Sequence, residues 1–164
     1  MNQTEHVDLS FIKIEYFKNN IRKYLQFLFE LNLKIRAILL FGSVATGKAR
    51  NDNEHSSDID LFIISDDITV DLLNRSQWVV NLTRPVCSSV QALWRTSKEM
   101  ESYVDSKYYL ILDAFDEGQI LYDPDNFLHK LKERTFRELQ KKGVIKTELY
   151  WQWPLKKFGD KIEY

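Results

Sequence analysis

Two short apolar runs limit what this chain can become. Ile35 to Phe41 stops at Gly42, and Ile59 to Ile64 stops shortly before Asp66-Asp67. Each run is too short for a typical helix and bounded by polar or turn residues, so both are expected to be buried strands. The lengths on either side suit helices. From Leu9 to Leu31 one stripe carries Phe11, Ile14, Phe17, Ile21, Leu25 and Leu28, the spacing of an amphipathic helix. Val70 to Leu82 has helical character until Arg84-Pro85 breaks it, and Val86 to Thr96 alternates well enough for a third strand. A helical region runs from Ser97 toward Phe115, Gln119 to Tyr122 is a brief apolar run, and Asp123-Pro124-Asp125 opens a last helix that stops near Gly143. The expected fold class is α/β (α+β), a small mixed sheet with helices mainly on one face. The 164 residues suffice for one domain, 1–164, with its C-terminal helix and aromatic tail from about 125 to 164.

The chemistry concentrates where the two runs meet polar residues. Leu39-Leu40-Phe41-Gly42-Ser43 ends a strand in a residue without a side chain, so a ligand can approach the backbone while the Ser43 hydroxyl and the next amides bond phosphate oxygens. After a polar loop, Lys48 to Ser57, comes Ser57-Asp58-Ile59-Asp60. Residues two apart on a strand share a face, so Asp58 and Asp60 project together, roughly 6–7 Å apart at the backbone. Such a pair suits a hard cation. Mg²⁺ usually sits between one or two carboxylates and the phosphates of a substrate, which is what these two segments would jointly provide. Lys48 and Arg50, in the intervening loop, are candidates to steady those phosphates.

Gly42-Ser43 followed by Asp58-x-Asp60 resembles the signature of the nucleotidyltransferase superfamily that includes DNA polymerase beta and the minimal nucleotidyltransferases. The resemblance is strongest from Leu39 to Phe62. Tyr150-Trp151 and Leu155-Lys156 look like the ending of standalone archaeal members. It implies that Gly42 and Ser43 hold the triphosphate of an NTP, ATP foremost, and that Asp58 and Asp60 are catalytic and ligate two Mg²⁺ ions, with Mn²⁺ as a substitute. The implied reaction moves a nucleoside monophosphate onto an acceptor hydroxyl. The acceptor itself is unknown. The resemblance also makes a small helical partner protein plausible, as in toxin and antitoxin pairs.

Family members carry a third carboxylate on the third strand, and the matching position here is Gln91. A neutral amide attracts a cation less than a carboxylate does. The alternative expectation is therefore a catalytically impaired module that keeps the fold and works through a partner protein, antitoxin-like. Asp66 and Asp67 cannot substitute, since six or more residues of strand at about 3.3 Å each carry them roughly 20 Å from Asp58. Glu54 in the loop is within reach.

Other residues have plainer readings. Lys and Arg number 23 against 24 Asp and Glu, a net charge of -1 that offers no general attraction to duplex nucleic acid. The polar start and the lack of a run near twenty apolar residues point to no membrane span, and the single Cys87 to a reducing, cytoplasmic setting. Cys87 is expected to be a buried residue of the third strand and not a nucleophile. His55 has no required role in two-metal chemistry, and His6 and His129 are expected at the surface without partners. Trp151 and Trp153 are expected to anchor the tail by packing.

Overall fold

The two apolar runs form the centre of the protein, whose computed structural model describes residues 7–154. β1 (Ala37–Phe41) and β2 (Ile59–Ile64) run antiparallel, Ala37 opposite Ile64 and Phe41 opposite Asp60. Every residue of β1 is buried. Alternate side chains point to opposite faces, so a continuously buried strand must be covered on both. Ile38, Leu40, Ile59, Leu61 and Ile63 enter one core, and Ala37, Leu39, Phe41, Phe62 and Ile64 a second.

Among the described residues five helices of two or more turns supply that cover. α1 (Glu15–Glu30) lays Phe17, Ile21, Leu25 and Leu28 on the first core. A single turn, α2 (Gly42–Ala45), follows β1 directly. α3 (Leu72–Thr83) also faces the first core and leads to β3 (Val90–Arg95), which pairs parallel with β2. A parallel pair needs such a crossover. α4 (Ser97–Asp105) and α5 (Tyr109–Glu117) then cover the second core, β4 (Gln119–Tyr122) joins β1 antiparallel, and α6 (Phe127–Lys141) completes that layer. The sheet order is β3-β2-β1-β4, and a short hairpin, β5 (Ile145–Lys146) with β6 (Trp151–Gln152), follows α6. The class and the mixed sheet are as expected. The helices divide more evenly between the faces than the sequence reading had it, because β1 and β2 are apolar on both sides.

Three boundaries move, each for a local reason. α1 starts at Glu15 and not near Leu9, because Asp8 accepts a bond from the Ser10 amide at 2.8 Å and turns the chain there. The region from Ser97 is two helices. Lys107 takes a left-handed φ of 52° between them and buries its ammonium on the Val104 carbonyl and the Glu138 carboxylate. β3 begins at Val90, since Val86 and Cys87 both donate to the Thr83 carbonyl in the turn that ends α3. Cys87 is thus buried as expected but precedes the strand.

His129 is not partnerless. Its Nδ1 lies 2.7 Å from Asp123 Oδ2, and Asp123 also accepts from the amides of Phe127, Leu128 and His129, so this carboxylate caps α6. His6, Leu155 and Lys156 lie outside the described residues. No described helix is long and apolar enough to cross a membrane.

Asp123 has a side chain only 1% exposed, and its removal leaves three helix-start amides without their acceptor. Asp123→Ala is expected to lower stability by about 1–3 kcal/mol, read from urea unfolding followed by circular dichroism. Asp123→Asn, which keeps an acceptor oxygen, should lose less.

Candidate active site at the ends of three strands

Strand register alone brings the expected residues together. Asp60 stands opposite Phe41 on one side and Gln91 on the other, so Gly42, Asp60 and Gln91 lie across three adjacent strands. Gly42 has a φ of +73°, which ends β1 and starts α2. A Cβ placed on it would stand 2.4 Å from Asp60 Oδ2. The position therefore requires glycine twice, for its dihedral and for its emptiness. The amides of Ser43, Val44 and Ala45 open the α2 turn, where no intrahelical acceptor exists for them.

The carboxylates occupy different environments. Asp58 is exposed and accepts a 2.5 Å hydrogen bond from Gln91 Nε2. Asp60 is half-buried, and its pKa is raised to about 6, first by loss of solvent and then by the charge of Asp58. Two negative groups held this close, one of them partly desolvated, form a site that favours a cation. The donor set suits Mg²⁺, which takes one or two carboxylates and keeps the rest of its shell as water or phosphate oxygen. Among the described residues no cluster of three or more His, Cys, Asp or Glu side chains could hold a metal.

The polar stretch between the two motifs is more ordered than a plain loop. Lys48 and Ala49 donate to the Ser43 carbonyl at 2.9 and 3.0 Å, fastening its start to α2. Arg50 and Ser57 then exchange bonds, Asn51 bridges Ser56, and Asp52 accepts the amides of Glu54 and His55 at the tip. Ser57 was not singled out in the sequence, yet its pairing with Arg50 sets where Asp58 begins. Lys48 and Arg50 are exposed, with no ion pair among the described residues. Glu54 and His55 are exposed as well, and neither joins the carboxylates in a metal-holding cluster.

At the other end of β2, Asp66 accepts the amide and hydroxyl of Ser97, and Asp67 accepts the Lys34 amide at 2.6 Å. Both are engaged away from the site. Trp151 packs beside Phe136 and donates to Asp113 at 2.9 Å, and Trp153 packs on the same small cluster, so the tail tryptophans are anchors.

Residues 19–127 match the model of the family described as polymerase beta, nucleotidyltransferase. Among solved structures, a chain from a toxin-antitoxin with AMP-PNP aligns with a TM-score of 0.50 at 22% identity, over 76% of this chain and 87% of that one. A chain from the toxin-antitoxin MntA-HepT aligns with a TM-score of 0.48 at 19% identity, over 76% and 87%. One from a tri-AMPylated Shewanella oneidensis HEPN toxin in complex with MNT antitoxin gives 0.47 and 19%, over 76% and 87%. The first likeness establishes a shared fold. A search of curated proteins finds no match.

The raised pKa of Asp60 has a consequence for stability. A carboxyl whose folded pKa lies above its unfolded value favours the fold while protonated, and that advantage is lost as pH rises from about 4 through about 6. The shift from 3.8 to about 6 is worth about 3 kcal/mol at full strength, and solvent around a half-buried group reduces it to about 1–2 kcal/mol. Asp60→Asn is therefore expected to unfold later in urea than wild type by that amount at pH 7 without divalent metal. The difference should vanish near pH 4.

Proposed function

Because the chain belongs to the polymerase beta nucleotidyltransferase family, we propose that it transfers a nucleoside monophosphate from an NTP, ATP in the first instance, to an acceptor hydroxyl and releases pyrophosphate. One observation carries this reading. Gly42, Asp58 and Asp60 converge at neighbouring strand ends, where an empty backbone position adjoins two carboxylates, one of them half-buried.

In this reading Gly42 admits the triphosphate against the backbone, and Ser43 with the first amides of α2 bonds its oxygens. Lys48 and Arg50, free at the base of the small hairpin, neutralise the outer phosphates. Asp58 and Asp60 hold the divalent ions, Mg²⁺ or in its place Mn²⁺, which when bound lower the pKa of the attacking hydroxyl and neutralise the leaving pyrophosphate. Half a turn of the Gln91 amide exchanges the group it offers Asp58 for Oε1, an oxygen suited to a hard cation. We place the protein in the cytoplasm and read residues 1–164 as one domain.

Gln91 also favours a second reading. A neutral ligand where the family carries a carboxylate weakens the cation site, and the protein would then act as a nucleotidyltransferase-fold module on a partner protein, antitoxin-like. The toxin-antitoxin relatives of similar fold make such a partner worth testing.

Calorimetric titration of ATP into the protein tests the first reading. Binding is expected with Mg²⁺ and expected to disappear without it, or in Asp58→Ala/Asp60→Ala. No binding by the wild type would leave the second reading. Gln91→Asp separates the two further. It should tighten Mg²⁺ binding about tenfold, and if it also creates turnover that the natural protein lacks, the natural site is the impaired one.

A further inference from the structure

β3 is an edge strand, and among the described residues nothing pairs with its outer side. The main-chain groups left there can be identified. Ile59 donates to the Ser89 carbonyl and Ser65 to the Arg95 carbonyl, so Ser89 and Arg95 point toward β2, and with them by alternation Gln91 and Leu93. Val90, Ala92 and Trp94 therefore point outward. The Trp94 carbonyl is taken by the guanidiniums of Arg75 and Arg95, and the Val90 amide by the Cys87 carbonyl. Trp94 is fully buried, so its amide is closed as well. What remains is the Val90 carbonyl and the amide and carbonyl of Ala92, in residues 7% and 9% exposed.

These groups line a groove of about 710 Å³ between β3 and α3. Its walls are Leu72, Val79, Val80 and Leu93, with Leu72 and Val80 close to half exposed. Its charge is one-sided, for Arg75, Arg84 and Arg95 line it and no carboxylate does. Arg75 is answered by Glu99, and Arg95 lies against the Tyr103 ring and hydroxyl, which leaves Arg84 without an ion pair among the described residues. The groove also reaches Gln91, whose amide touches Asp58.

We propose that this edge receives the acceptor, an extended polypeptide segment with acidic and apolar side chains that adds to β3 as a strand and presents a hydroxyl side chain to the two carboxylates. The inference rests on the nucleotidyl-transfer reading and names its acceptor class. An extended backbone is the occupant because the open groups repeat at strand spacing, whereas a helix has already satisfied its own main chain and a small apolar molecule has none to offer. Acidic residues fit a lining that carries only positive charge. A residue paired across from the start of β3 lies two strand spacings, roughly 10 Å, from the Asp60 backbone. A long side chain on the Gln91 face spans that gap. In the transfer, the peptide hydroxyl oxygen bonds to the α-phosphorus and its proton leaves to water. The bond from that phosphorus to the bridging oxygen breaks, and pyrophosphate departs with the electron pair.

The test uses the full chain and fluorescent ten-residue peptides that alternate Val and Thr around one Tyr and carry zero to three Asp, read by anisotropy without nucleotide. Hydrogen exchange is read in parallel at single amides. The amide of Ala92 should exchange faster than those of Gln91 and Leu93 in the free protein and slow at least tenfold when an Asp-bearing peptide binds. Replacing Asp by Lys, or N-methylating alternate peptide amides, should weaken binding at least tenfold, as should Arg84→Glu or Ala92→Pro in protein that remains folded by circular dichroism. Equal binding of the N-methylated peptide, or an Ala92 amide already as protected as that of Gln91 without peptide, would overturn strand addition. If no peptide binds while Mg²⁺-dependent ATP binding is intact, strand addition alone falls. If peptide binds but the wild type takes no ATP, the acceptor role falls with the nucleotidyl-transfer reading.

Discussion

The Asp60 carboxylate lies where any side chain at position 42 would have to go. That exclusion governs the site. It makes residue 42 a glycine, and the glycine takes a positive φ that ends β1 and turns the chain into α2. The same contact leaves a carboxylate half-buried beside a second one, an arrangement that is unfavourable until something positive arrives. Sequence, local geometry and electrostatics thus meet at a single close approach.

The cost of that arrangement is small against what surrounds it. About 1–2 kcal/mol for ionised Asp60 compares with roughly 1.5–3 kcal/mol for each fully buried Leu or Ile, and β1 and β2 contribute several of these to each core. A sheet apolar on both faces can therefore hold its charged ends in a fixed place. Arg75 extends the same logic to β3. Its side chain, 5% exposed, donates to the Val70 and Trp94 carbonyls and pairs with Glu99 at 2.5 Å, tying α3, β3 and α4 together. Because this charge is answered on every side, it fixes α3 beside β3.

The placement of the candidate site's residues could largely be read from sequence because it depends on short-range facts. A glycine after an apolar strand and two aspartates two residues apart define positions on strands whatever the rest of the chain does. The residues that tie the site together were less visible. That Asp60 faces both Phe41 and Gln91 is a matter of register, and the bond from Gln91 to Asp58 joins residues far apart in the chain. The break at Lys107 carries no glycine or proline to announce it, since an ion pair with Glu138 on another helix offsets its left-handed backbone. The loop before Asp58 shows no apolar periodicity, and its order comes from side-chain and main-chain polar bonds that hydropathy does not record. Helix coverage of the second face is hidden in the sequence for a related reason, as a continuous apolar strand says that both faces are buried without saying by what.

Gln91 bears on the balance between the empty and occupied states of the site. A third carboxylate here would add repulsion to a pair already unfavourable enough to raise Asp60 to about 6, and the empty protein would bear that cost. The glutamine instead donates an N–H to Asp58 and adds no charge. What it gives up is attraction for the cation, since an amide oxygen carries no net charge. In the proposed reading, a glutamine at this place favours the metal-free protein and would weaken a metal-bound one, so that any charge supplied from outside gains influence. A bound triphosphate brings oxygen ligands that complete a cation's shell. An acidic acceptor of the proposed kind would add negative charge beside Gln91, so that cation, nucleotide and acceptor would favour one another's binding.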